Sequence, residues 1–161
     1  MPEGRIINVP IGSIDLTGEP NRLVSVLGSC IGLAVFDLQR RIGGLAHILL
    51  PNSRGCPSPE MPGKYADAAV GNLVAALVER GSCRERLRAK AAGGARMFER
   101  VVAGGTGDVG AQNIQAVRTA LAQAGITLLS QEFGGNRGRK VCFDPSTALF
   151  VVETLEAATT I

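Results

Sequence analysis

The chain has 161 residues, of which 45% are hydrophobic, 19% charged and only 4% aromatic. This length and composition predict a single globular domain, residues 1–161, with an aliphatic core, and they argue against a disordered or fibrous chain. The formal charge of +3 is modest, and the basic residues are not interleaved with aromatic residues, which argues against a nucleic-acid-binding protein.

The beginning of the chain gives no sign of a targeting segment. Residues 1–14 have no long apolar stretch behind a basic end, which a secretory signal would need. The apolar runs elsewhere are far shorter than the ~20 residues of a membrane-spanning helix. We therefore expect a cytoplasmic protein with no membrane insertion.

Three strands are predicted in the N-terminal third of the chain. The segments Leu23–Leu27, Gly32–Phe36 and Ile42–Leu50 are rich in β-branched and aliphatic residues. The polar residues 37–41 between the last two segments predict a tight turn. These two strands should therefore form an antiparallel hairpin.

A loop and a helix are predicted next. Residues 52–63 are rich in proline and glycine, which is typical of an irregular loop. Apolar residues then recur at helical spacing and predict a helix over residues 64–80, which Gly81 ends. The apolar stripe consists of Ala66, Ala69, Val70, Leu73, Val74 and Leu77.

The C-terminal half predicts four further strands and one helix. The helix is Gly110–Ala124, and the strands are Leu87–Ala92, Ile126–Gln131, Lys140–Phe143 and Leu149–Thr154. Strands and helices do not alternate strictly along the chain, so a doubly wound fold is disfavoured. The pattern favours an α+β layered sandwich with mixed or antiparallel sheets.

Cys30 is the best candidate for a nucleophile. It lies between Gly28 and Gly32 directly after a predicted strand. Glycines permit a sharp turn and allow a substrate carbonyl to approach backbone N–H groups. The other interpretation of Cys30, a small buried apolar residue, is common for free cysteines.

His47 is the only histidine of the chain and lies in a largely apolar predicted strand. It can be a hydrogen-bonded core residue or the general base of a cysteine hydrolase, which needs an imidazole near its thiol. If the two strands pair, the 17-residue separation from Cys30 allows the side chains to meet. With one histidine and no C-x-x-C pair, we expect no metal site and no cofactor.

Six sequence blocks together resemble the CheD family of chemoreceptor glutamine deamidases. They occur in family order and span residues 21–152. The blocks are Leu27–Cys30, Gly43–Pro51, Gly63–Asp67, Gly93–Phe98, Gly110–Asn113 and Gly134–Arg139.

The resemblance implies a Cys–His amidase on an α/β/β/α sandwich similar to toxin deamidase catalytic domains. It places the catalytic pair at Cys30 and His47, and it implies conversion of receptor glutamines to glutamates, with methyl-ester cleavage as a possible side activity. Ser29 and Asn136 lie in family blocks and are candidate substrate-binding residues. The implied partners are the cytoplasmic helices of chemoreceptors and the CheC phosphatase.

One position departs from the family. The family's third catalytic group is a threonine six residues before the cysteine, where this chain has Val24. Valine cannot donate a hydrogen bond, and strand alternation should point the neighbouring Ser25 to the opposite face. This departure predicts either another orienting group for His47 or a catalytically weak adaptor that binds chemoreceptors or CheC.

A dinucleotide-binding protein is the remaining alternative. Gly105–Gly110 matches G-x-G-x-x-G, precedes a helix, and is followed by Glu132 at the end of a later strand. However, only 29 residues follow Glu132, and nothing before the motif supplies a second alternating half. A glycine-rich loop that enters a helix explains the motif better.

Overall fold

In the described part of the chain, two five-stranded sheets face each other, and two helices cover the far side of one of them. The structure, a computed structural model, describes residues 3–97 and 108–161. The helices are α1 (Ala66–Glu79) and α2 (Val109–Ala124). The strands are β1 (Ile6–Asn8), β2 (Ile14–Gly18), β3 (Arg22–Leu27), β4 (Ile31–Asp37), β5 (Ile42–Ile48), β6 (Arg88–Gly93), β7 (Thr127–Phe133), β8 (Arg139–Asp144), β9 (Leu149–Glu153) and β10 (Ala158–Thr160).

The sheet against the helices, called the central sheet here, has the strand order β2-β5-β4-β6-β7. Its strands are antiparallel except for β6 and β7, which are parallel and are connected through α2. The second sheet, called the outer sheet, has the order β1-β3-β8-β9-β10. In the outer sheet β1 runs parallel to β3 and the other neighbours are antiparallel.

The helices pack on the central sheet through apolar stripes. All six predicted stripe residues of α1 are buried, as a 3.6-residue period requires of a helix with one buried face. The helix α2 begins at the N-cap Asp108, whose carboxylate accepts a hydrogen bond from Ala111 N (3.3 Å), and it ends at Gly125 in the left-handed conformation (φ 72°). Burial of these stripes builds the first hydrophobic core.

A second core lies between the two sheets. It is formed by inward-facing residues of both sheets, with aromatic contacts among Phe36, Phe143 and Phe150 at ring-centroid distances of 5.6 and 6.1 Å. Cys30 belongs to this second core. The candidate nucleophile therefore lies between the sheets and away from the helices.

The sequence-based prediction of an α+β sandwich is confirmed, and each predicted strand and helix is present with small shifts of its ends. The predicted hairpin is the antiparallel pair β4–β5. The short strands β1, β2 and β10 were missed. Among the described residues both helices pack on the central sheet, so the layer order there is helices, central sheet, outer sheet.

Candidate active site

Cys30 lies in the turn between β3 and β4, one residue before β4 begins. Its side chain is 6% exposed. The segment that follows β6 holds the backbone of this turn. Gly28 O accepts a hydrogen bond from Ala95 N (3.1 Å), and Cys30 O accepts one from Gly94 N (2.9 Å). The turn therefore holds the thiol at a defined position.

His47 lies on the neighbouring strand β5 and faces the outer sheet. Its cross-strand partner is Gly32 of β4, and a Cβ at Gly32 would lie 3.1 Å from Leu27 and 3.2 Å from Val141 of the outer sheet. Cys30 is two residues before Gly32, in the turn that precedes β4, and it belongs to the core between the two sheets. The register of β4 and β5 thus places both residues at the same end of the hairpin, on the side that faces the outer sheet.

The carbonyl of Val9 orients the imidazole. His47 Nδ1 lies 3.1 Å from Val9 O, and because a carbonyl oxygen only accepts hydrogen bonds, Nδ1 carries the proton of the neutral ring. The lone pair is then on Nε2, which is buried and has no hydrogen-bond partner among the described residues. His47 is therefore held with its basic nitrogen available.

Burial keeps both groups neutral. It raises the pKa of the Cys30 thiol above 9.0, and it lowers the pKa of His47 below 6.5, although the bond to Val9 opposes the second shift. Desolvation of the thiolate is the cause of the raised pKa of Cys30. At neutral pH the resting pair is a thiol and a neutral imidazole.

The lowered pKa of His47 predicts a stability that depends on pH. The unfolded chain takes up a proton near pH 6.5 while the folded chain does so only at lower pH, so the free energy of unfolding should decrease as the pH falls below 6.5. Because the chain has one histidine, His47→Asn should flatten this decrease. Urea denaturation of both proteins at pH 7.5, 6.5 and 5.5 measures it, and identical slopes in both proteins would contradict the assignment.

Val24 and Ser25 point to opposite faces of β3, as alternation predicts, but Ser25 is the residue that faces His47. Ser25 is fully buried, and its hydroxyl donates to Val9 O (2.8 Å), the same carbonyl that accepts from His47. Val24 is only partly buried and lies across from Cys142. The hydroxyl next to the His47 anchor is thus contributed one position later than in the family pattern.

The two candidate substrate-binding residues, Ser29 and Asn136, lie in or near the same turn. Ser29 is half-buried next to Cys30. Asn136 is exposed on the loop between β7 and β8, and this loop contacts the segment behind Cys30 through Arg96 N to Gly135 O (2.8 Å). Their role in substrate binding stays a prediction.

Two groups near the site were missed by sequence reasoning, the Val9 carbonyl and Asn113. A backbone carbonyl leaves no signal in a sequence. Asn113 did leave a signal in the sequence. It lies four residues before Val117 and eight before Leu121, so a polar residue interrupts the apolar stripe of α2. Such an interruption indicates a buried polar contact.

A groove of about 510 Å³ lies elsewhere, between the loop after β5 and α2. Asn52, Asp67 and Gln115 are among its lining residues, whereas Cys30 and His47 do not line it. It therefore offers no direct access to the thiol.

The described part of the dinucleotide motif does not favour a phosphate site. Residues 105–107 lie outside the described residues. The N-terminus of α2 already carries the Asp108 carboxylate, which would repel a phosphate, and Glu132 pairs with Arg139 (3.0 Å). A Cβ at Gly110 would lie 2.4 Å from Gly94 O, so this glycine is needed for close packing.

Residues 3–97 and 108–161 hold neither a membrane-spanning helix nor a cluster of metal-ligating side chains. None of the helices there has the length and apolarity to cross a membrane. These residues also contain no group of three or more His, Cys, Asp or Glu side chains arranged to hold a metal ion.

An α+β sandwich with a buried thiol and an oriented imidazole that both face the space between its sheets defines a candidate cysteine hydrolase. The family described as CheD chemotactic sensory transduction matches residues 49–154, which is more than half of the chain. The chain belongs to the CheD family.

Curated relatives extend this similarity over nearly the whole chain. The chain is 42% identical to the probable chemoreceptor glutamine deamidase CheD of Symbiobacterium thermophilum over 96% of both chains. It is 38% identical to the chemoreceptor glutamine deamidase CheD of Bacillus licheniformis, over 98% of this chain and 95% of that protein. A solved structure, the Bacillus licheniformis hypothetical protein YfiH, matches 81% of this chain and 59% of its own with a TM-score of 0.47 and 15% identity.

Proposed function

We propose that this protein is a cytoplasmic chemoreceptor glutamine deamidase, with Cys30 as the nucleophile and His47 as base and acid. Its substrates would be glutamine side chains on the cytoplasmic helices of chemoreceptors. Membership of the CheD family and the names of the relatives support the reaction. The observation that carries the site is the bond from His47 Nδ1 to Val9 O, which leaves the lone pair on Nε2.

The reaction begins from the neutral pair. As Cys30 Sγ attacks the carboxamide carbon, the thiol proton passes to His47 Nε2, and a tetrahedral intermediate forms. His47 then returns this proton to the amide nitrogen, the C–N bond breaks, and ammonia leaves a thioester. Water attacks the thioester with His47 Nε2 as base, which releases glutamate and restores the thiol.

The same intermediate would permit cleavage of a glutamate methyl ester as a side activity. The attack on the carbonyl carbon is identical, and only the leaving group changes from ammonia to methanol. We rank the amide first because the names of the relatives specify it.

The test of the proposal is ammonia release from a purified receptor cytoplasmic fragment. The fragment should release ammonia when it is incubated with this protein, and peptide mass mapping should locate glutamate in place of specific glutamines. An unchanged fragment after exhaustive incubation would contradict the proposed function.

A second function, that of an adaptor that binds chemoreceptors or CheC, is favoured by one observation. Cys30 and His47 are only 6% and 3% exposed, and a sealed pair would be catalytically weak. The adaptor function predicts measurable binding to a receptor fragment or to CheC together with no release of ammonia. Calorimetry beside the ammonia assay separates the two functions.

We expect Val24→Thr to leave the deamidation rate within about twofold of wild type. The substituted hydroxyl would lie on the outward face of β3, away from Val9 and His47. Ser25→Ala should lower kcat about three- to tenfold, the size expected for one neutral hydrogen bond. Steady-state kinetics compares the two variants, and a tenfold gain for Val24→Thr would show that the outward position matters.

A further inference from the structure

Asn113 of α2 is buried and contacts the turn that carries Cys30. Its side chain is fully buried, and Nδ2 donates to Ser29 O and to Leu49 O, both at 3.0 Å. A carboxamide nitrogen has two N–H groups, so each carbonyl can receive one. Oδ1 has no partner among the described residues.

This arrangement costs stability, since burial of an unpaired carbonyl oxygen is unfavourable. An apolar residue at this position of the α2 stripe would remove the unpaired oxygen but would leave Ser29 O and Leu49 O without the Asn113 donor. The hydrogen bonds to Ser29 and Leu49 therefore give Asn113 a purpose other than packing.

The bond to Ser29 O fixes the direction of one peptide group. The peptide that joins Ser29 to Cys30 is planar and trans, so its C=O and its N–H point in opposite directions. Because Asn113 holds the carbonyl of Ser29 from the helix side, the N–H of Cys30 points away from α2. By the same argument the bond from Ala95 N to Gly28 O turns the N–H of Ser29 away from Ala95.

The elements behind the turn form one connected support. Gly110, in the first turn of α2, packs so closely on Gly94 and Ala95 that a Cβ would lie 2.4 and 2.5 Å from their carbonyl oxygens. The same Gly94 and Ala95 donate to Cys30 O and Gly28 O. All three carbonyls of Gly28, Ser29 and Cys30 are thus held by α2 or by the segment that it packs against.

We propose that Asn113 is a positioning residue that aims the Cys30 N–H at the oxyanion formed when the thiol attacks a carbonyl. The inference rests on the proposed role of Cys30 as nucleophile. Asn113 itself does not touch the substrate. It acts through the Ser29–Cys30 peptide, whose N–H stabilises negative charge only in the tetrahedral intermediate.

The experiment compares two reactions of the Cys30 thiol. Iodoacetamide alkylates by displacement at a methylene carbon and forms no oxyanion, whereas p-nitrophenyl acetate acylates through a tetrahedral oxyanion. Both rates are measured on protein that carries Cys56→Ser, Cys83→Ser and Cys142→Ser, so that Cys30 is the only thiol. Comparison of the two rates isolates oxyanion stabilisation from thiol reactivity.

Two variants of Asn113 lack the donors but differ in packing. Asn113→Ala leaves space and Asn113→Leu fills it, so an effect that both share comes from the lost N–H groups. Asn72→Ala is the matched control, because Asn72 Nδ2 also donates to a backbone carbonyl, Pro62 O at 2.9 Å, on the exposed surface of α1. Circular dichroism checks the fold of each variant.

We expect both Asn113 variants to lower the acylation rate about 100-fold, the size of one lost oxyanion donor. The alkylation rate should stay within about threefold, and Asn72→Ala should change neither rate. The proposal is overturned if both rates fall by the same factor, if neither falls, or if Cys30→Ala releases p-nitrophenolate as fast as its parent. Failure of the proposed deamidase function would appear separately, as acylation of Cys30 without ammonia release from receptor fragments.

Discussion

Cys30→Ala is expected to abolish ammonia release from receptor fragments. The proposed mechanism passes through a thioester on Cys30, and without the sulfur no covalent path remains, so the rate should fall on the order of 10⁴-fold or more. Cys30→Ser, which nearly preserves the shape of the side chain, should be almost as inactive, because a buried hydroxyl is a much poorer nucleophile than a thiol. Single-turnover ammonia release measures both variants.

Cys83→Ala is the matched control for this experiment. Cys83 is an exposed free thiol on the surface after α1, and its removal should leave the rate within about twofold, as for most surface substitutions. Retention of more than about 1% of the wild-type rate by Cys30→Ala would contradict a covalent role, since the residual rate of an enzyme without its nucleophile is far smaller. Equal losses in Cys30→Ala and Cys83→Ala would indicate a general effect on folding.

The β4–β5 hairpin could be predicted because its contacts are short in sequence. A hairpin fixes the register of its two strands through the turn, so the proximity of Gly32 to His47 follows from the polar turn at residues 37–41. The spacing of apolar residues likewise predicted the buried stripe of α1. The hairpin and the buried face of α1 therefore follow from local sequence patterns alone.

The orientation of His47 could not be predicted, because it depends on a backbone carbonyl from a distant strand. β1 has only three residues and is defined by its parallel pairing with β3, which no local pattern indicates. Val9 follows this strand, and its N–H donates to Val24 O (2.8 Å). The anchor of the imidazole is thus a product of tertiary pairing.

The sequence also did not show which face of β3 points inward. Apolar residues occupy both faces of the strand, with Leu23 and Leu27 on one face and Val24 and Val26 on the other. The inward face is the one that includes the polar Ser25, because the Val9 carbonyl is there to accept its hydroxyl proton. A polar residue with a buried partner can therefore occupy a core position that hydrophobicity alone would assign elsewhere.

The charge states of Cys30 and His47 could not be predicted for a similar reason. A nearby imidazole lowers a thiol pKa only when it is charged, and burial here keeps His47 neutral. The same burial raises the pKa of Cys30. The sequence pattern shows neither the burial of these two residues nor the charge state that this burial sets.

His47→Asn is expected to lower kcat by about 10²–10⁴-fold, the contribution of a general acid–base residue. Asparagine can still donate a hydrogen bond toward Val9 O, but it has no second nitrogen to take the thiol proton. The substitution therefore removes the base while it keeps the nearest polar contact. Steady-state kinetics on receptor fragments measures the loss, and circular dichroism confirms the fold.

The pH profile distinguishes a base from a structural residue. His47 must be neutral to accept a proton, and burial lowers its pKa below 6.5, so wild-type kcat/KM should stay constant down to that pH and decrease only below it. His47→Asn should lack this acid limb, because no group remains that titrates as the base. A variant that keeps the acid limb at a reduced rate would assign the limb to another group, and His47 would then act only by holding the space between the two sheets.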